Sequence, residues 1–75
     1  MNALSQTSMT QKQKDILEAA EVEFQDHGLS NAVIDTIVEK AGVSKRTLYK
    51  YFPSKLDLFQ SVLMRKYLAA RPHPA

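Results

Sequence analysis

Cysteine is absent from the sequence, which excludes disulfides and thiolate metal sites. No apolar run approaches the roughly 18–20 residues needed to span a bilayer. The segment Met1 to Met9 is polar and rich in Ser, Gln and Thr, without the charged-then-apolar layout of a signal peptide. By elimination a cytoplasmic protein, with no membrane partner, is expected. Catalytic constellations are missing too. The two histidines, His27 and His73, stand far apart, and His27 falls at a helix end where capping or packing suits it. No nucleophile–base pair and no metal-ligand spacing appears, so neither an enzyme nor a metal or cofactor site is expected.

The chain has 75 residues, enough for one domain. A domain of this size buries only about 60% of the surface its unfolded chain exposes, so its core is thin. The hydrophobic fraction of 44% is ordinary for a folded domain and argues against disorder. Net charge is only +2, but its distribution is uneven. From Ser44 to Lys55 the chain carries Lys45, Arg46, Lys50 and Lys55 and no acid. From Asp15 to Asp26 it carries five acids and no base. A chain near neutrality that gathers positive charge in one short segment has the footprint of a polyanion-binding surface. A solvated basic face would look the same by charge alone.

Periodicity predicts four helices and no strand. Residues 1–9 have none and are expected to form a tail; residues 10–70 form the domain, and Pro72 and Pro74 mark a loose end over 71–75. Ile16, Ala20 and Phe24 form the apolar line of a first helix from about Gln11 to His27, with Thr10 or Ser8 as its cap. Gly28 stops it by taking the left-handed conformation. Ile34, Ile37, Val38 and Ala41 share one face of a second helix over about Val33 to Ala41, ended by Gly42. Asn31 or Ser30 is the available cap, and Asp35 suits the positive end of its dipole. Ser44 caps a third helix that Pro53 terminates. Ser54 caps a fourth, with Asp57 three residues on as in a capping box, running to about Ala70.

Two short helices joined by Gly42-Val43-Ser44 must cross steeply, which is helix-turn-helix geometry. Gly42 supplies the positive φ of the turn, Val43 plugs the corner and Ser44 satisfies the first amides of the next helix. Ile37 and Val38 face Leu48 and Phe52. The rest of the core must come from Ile16, Ala20, Phe24, Leu58, Phe59 and Val62. With Leu48 and Phe52 inward, the third helix presents Lys45, Arg46, Thr47, Tyr49 and Lys50, with Tyr51 at the edge. These residue types suit duplex DNA: Arg and Lys pair with guanine edges or phosphates, Thr reaches bases, and Tyr hydroxyls donate to phosphate. Either tyrosine alone would read as a half-buried core aromatic. Interleaving with Lys50 behind Lys45-Arg46 favours the DNA role.

The run Ala41-Gly42-Val43-Ser44-Lys45-Arg46-Thr47-Leu48-Tyr49-Lys50-Tyr51-Phe52-Pro53-Ser54-Lys55 resembles the signature of the tetracycline-repressor (TetR) family of bacterial regulators. The resemblance extends from about Gln11 to Tyr67. It implies an all-α fold: a three-helix homeodomain-like bundle containing the helix-turn-helix, plus the start of a fourth helix. It implies that helix three, about 45–51, enters the major groove of an operator or half-site. Lys45, Arg46, Thr47 and Lys50 would then lie near bases, and Tyr49, Tyr51 and Lys55 near phosphates. Lys55 also fits by position, in a helix first turn where charge and amides together favour phosphate. Sequence-specific DNA binding by a regulator, as a repressor, is the expected function.

There are departures. Ala32-Val33 stands where the family usually has a capping Thr or Ser, and Val38 where Ala is common. Asp35 would repel phosphates unless it accepts from a cytosine amino group or pairs with a nearby base. Family members carry a long C-terminal helical domain that dimerises and binds an inducer. With 75 residues, a ligand pocket and a dimer interface are not expected here, and the chain alone should be monomeric or weakly associating. Met64, Tyr67 and Leu68 either close the local core or await a covering surface. The competing reading is a helical protein-interaction module, or a truncated form that modulates a full-length regulator.

Overall fold

The computed structural model describes residues 10–70, with side chains through Tyr67. The expected tail over 1–9 and loose end over 71–75 lie outside the described residues, as does the side chain of Leu68. Four helices follow in order: α1 (Gln11–Asn31), α2 (Ile34–Ala41), α3 (Lys45–Tyr51) and α4 (Lys55–Ala70). No strand occurs among the described residues.

α1 starts at a reciprocal cap. The Thr10 hydroxyl accepts the Gln13 N–H at 3.1 Å, and the Gln13 side chain accepts the Thr10 N–H at 2.9 Å. Helical geometry breaks at Gly28, with φ 77° and ψ 171°. The expected stop is therefore in place, with two corrections. That ψ lies outside the left-handed helical well, in a region open essentially to glycine alone. A further turn, Leu29–Asn31, then follows before Ala32 donates to the Gly28 carbonyl at 3.0 Å.

α2 closes as expected. Gly42 takes φ 74° and ψ 30°. Val43 N–H reaches back to the Val38 carbonyl at 3.1 Å and Gly42 N–H to the Glu39 carbonyl at 3.2 Å, a Schellman closure. The start of α2 differs from the expectation. Neither Asn31 nor Ser30 caps it: Val33 is the N-cap and supplies no side-chain bond. Ser44 and Ser54 do cap α3 and α4, taking the Thr47 N–H at 3.1 Å and the Asp57 N–H at 3.0 Å.

The core is one cluster to which all four helices contribute. Ile16, Leu17, Ile37, Leu48 and Leu58 are fully buried, each worth about 1.5–3 kcal/mol of transfer free energy. Ala19, Ala20, Phe24, Ala32, Phe52 and Val62 complete it, and Val38, Val43 and Phe59 pack against its edge half-buried. Leu17, which the apolar line of α1 passed over, is as deeply buried as Ile16. Phe24 meets Phe59 edge-on at 5.1 Å, which ties α1 to α4. Met64 and Tyr67 stay 62% and 70% exposed, so neither closes the local core.

Candidate nucleic-acid interface

The outward face of α3 follows from its inward one. Leu48 and Phe52 are buried, which fixes the helix rotation about its axis. At 100° per residue, Lys45, Arg46, Tyr49 and Lys50 then share an arc of about 140°. All four are exposed. The helix is held rigidly at both ends. Ser44 binds its first turn, and Phe52 N–H closes on the Leu48 carbonyl at 2.8 Å before Pro53.

Thr47 and Tyr51 sit on the flank of that arc, each half-buried. The Thr47 hydroxyl oxygen accepts from Ser44 at 3.0 Å, which leaves its own O–H able to donate elsewhere. Tyr51 packs against the core. The Lys50 ammonium lies 5.8 Å from the Tyr51 ring centroid, a cation–π placement that steadies a long side chain.

Lys45 has a partner in the free protein. Its ammonium lies 2.7 Å from Asp35 Oδ1, which joins the first turn of α2 to the first residue of α3. The hydrogen bond to Asp35, then its charge, raises the Lys45 pKa above the ordinary lysine value, so Lys45 is cationic at neutral pH. Among the described residues Arg46 and Lys50 take part in no ion pair. The basic character of the segment is thus presented mainly by these two.

The Lys55 ammonium, expected near a phosphate, turns back onto the connector before α2 in the free protein. It donates to the carbonyls of Leu29 at 3.0 Å, Ala32 at 2.9 Å and, more loosely, Ser30 at 3.4 Å. An ammonium has three donors, and these carbonyls use all of them. The physical reason is the break at Gly28: the turn after it leaves carbonyls with no helical partner, and a cation satisfies them.

Glu23 completes the same connection from the other side, and pattern reading assigned it no such role. It is 2% exposed, and its Oε2 accepts the Val33 N–H at 3.0 Å. A buried carboxylate thus satisfies across space the amide of the N-cap residue, one of the free donors at the start of α2. His27, one turn on, stands 3.9 Å from the same oxygen. A glutamate on the apolar spacing of α1 was the available signal, because a carboxylate is buried only with a partner.

Four helices around one core, with α2 and α3 joined by a three-residue turn and a basic arc facing outward, define a helix-turn-helix domain. Residues 16–62 match the family described as bacterial regulatory proteins, tetR family. The chain belongs to that family and carries its DNA-binding helix-turn-helix domain. It is 45% identical over 53 residues to the HTH-type transcriptional repressor SCO4008 of Streptomyces coelicolor, covering 71% of this chain and 28% of that protein. It is 44% identical over 55 residues to the HTH-type transcriptional activator FasR of Mycolicibacterium smegmatis, covering 73% and 25%. It is 43% identical over 56 residues to the HTH-type transcriptional regulator RutR of Escherichia coli K12, covering 75% and 26%. The matched stretch therefore spans about a quarter of these relatives' length. No described helix is long and apolar enough to cross a membrane.

Proposed function

We propose that this domain binds double-stranded DNA sequence-specifically, inserting α3 in the major groove of an operator half-site. The observation that carries this reading is the exposed arc of Lys45, Arg46, Tyr49 and Lys50 on a helix fixed at both ends. The major groove admits one helix of this width. Arg46 is the strongest base reader, since its fork matches guanine O6 and N7 and no carboxylate holds it. Lys45, Thr47 and Lys50 are the other base-reading candidates. The Tyr49 hydroxyl donates to a phosphate, and Tyr51 contributes at the margin. Lys55 leaves the DNA-facing set and serves the scaffold.

The regulatory outcome is repression: a regulator seated on an operator blocks polymerase, and it works in the bacterial cytoplasm where that DNA lies. The relative named an activator gives a second reading, because the same domain can recruit as well as occlude. One copy reads one half-site weakly. Two copies, brought together in a dimer, read half-sites centred about 34–36 Å apart on one face of the duplex.

The test compares Arg46→Ala with Tyr49→Phe on a selected duplex and its single-base variants. Arg46→Ala relaxes preference at one base pair, by about 1–3 kcal/mol. Tyr49→Phe weakens all duplexes alike, because a phosphate contact carries no direct sequence information. If the wild-type chain binds every duplex equally, the reading is wrong.

A further inference from the structure

Asp35 is an acid inside a basic surface. It stands in the first turn of α2, and its carboxylate is 2.7 Å from the ammonium of Lys45, the first residue of α3. Both side chains are open to solvent, at 71% and 54% exposure, so the pair is easily exchanged for other partners. Its position matters more than its strength. It lies where the outer surfaces of α2 and α3 meet, at the leading end of the helix that enters the groove.

We propose that Asp35 is a specificity-determining residue: it neutralises Lys45 toward the DNA backbone and releases it only at a G·C base pair. This inference rests on the reading that α3 enters the major groove. Along most of a duplex the pair stays closed, because a phosphate can replace Asp35 as the partner of Lys45 but leaves the carboxylate unpaired beside other phosphates. The net charge that the two bring to a non-specific encounter is zero. At a G·C pair both partners can be replaced at once. Guanine O6 and N7 accept from the Lys45 ammonium, and the cytosine N4 amino group donates to the Asp35 carboxylate. These groups lie side by side on the major-groove edge of one base pair, as the two side chains do in the protein. At an A·T pair adenine N6 can donate and thymine O4 can accept, but the thymine methyl crowds the position. That donor stands between two single acceptors, adenine N7 and thymine O4, so Lys45 loses the paired acceptors that guanine offers beside the donor.

The test is a four-protein cycle of wild type, Asp35→Asn, Lys45→Ala and the double variant. Each is titrated against a random duplex and a selected duplex over a range of salt. Asp35→Asn is expected to bind the random duplex roughly threefold to tenfold more tightly, with a salt slope steeper by about one phosphate contact. Selection with Asp35→Asn is expected to lose one G·C requirement that the wild type shows. Lys45→Ala alone leaves the Asp35 carboxylate uncompensated and weakens random-duplex binding, and in the Asp35→Asn background it removes the gain. Folding of each variant is checked by its thermal melt. Titration of the Lys45 ammonium by NMR provides a second readout, because Asp35→Asn should return it to the ordinary lysine value. If the double variant keeps the tighter binding, the carboxylate acts alone and the paired switch is overturned. An unchanged salt slope, or a selected site whose G·C requirement survives Asp35→Asn, also overturns it. Those outcomes leave wild-type binding intact, whereas a wild type that binds no duplex brings down the DNA reading itself.

Discussion

The carboxylate of Glu23 accepts the backbone N–H of Val33 at 3.0 Å, so a buried residue of α1 anchors the residue that opens the helix-turn-helix. The Lys55 ammonium binds the Leu29 and Ala32 carbonyls in the same connector at 3.0 and 2.9 Å. One acid and one base thus hold the five residues between the Gly28 break and α2. The entry of α2, and with it the placement of α3, is set by this clasp.

Glu23→Ala leaves the Val33 N–H without its partner and opens a gap in the core. The expected cost is about 1–3 kcal/mol for the lost acceptor, before any cavity contribution. In a domain this small, about 1 kcal/mol shifts Tm by roughly 4–8 °C. Glu23→Gln keeps an acceptor oxygen and should recover most of the loss. Thermal melts of the two variants check this; equal losses would show that the hydrogen bond is not what matters.

Lys55→Met keeps the aliphatic stem and removes the ammonium. A scaffold role predicts a lower Tm and an unchanged slope of log affinity against log salt. A phosphate contact predicts the reverse: a slope shallower by about 0.9 with little change in Tm. Parallel melts and salt titrations separate the two.

The two glycines should respond differently to asparagine. Gly42 has left-handed helical angles that asparagine tolerates, and no atom lies within 4 Å of a Cβ built there. Gly42→Asn should change stability by less than about 1 kcal/mol. Gly28, with ψ 171°, has no such option, although a Cβ there also meets nothing within 4 Å. Gly28→Asn should cost about 1–3 kcal/mol from backbone strain alone. Denaturant melts of the pair measure the difference.

What was legible in the sequence is what depends on neighbours along the chain. Gly42, Ser44 and Ser54 act on residues at most five positions away, so their residue types announce them. The apolar spacing of α1, α2 and α4 found most of the core, and the exposure of Lys45, Arg46, Tyr49 and Lys50 followed once Leu48 was placed inward. The clasp was hidden for the opposite reason. Glu23 and Val33 are 10 residues apart, and Lys55 and Leu29 are 26 apart. Their partners are backbone groups, which carry no residue type to recognise. The Asp35–Lys45 pair was half visible: a carboxylate beside a groove needs a base or a donor, but only folding shows which base.

The central claim, that the arc on α3 reads a DNA sequence, is tested most directly by selection from random duplexes with this chain and a dimerised version. The account predicts one enriched half-site motif for the single chain, and two such motifs about one helical turn or a multiple of it apart for the dimer. Enrichment should fade as salt rises and should change when Arg46 is replaced by Ala. Recovery of no motif, or of the same motif with Arg46→Ala and with α3 otherwise intact, would contradict it.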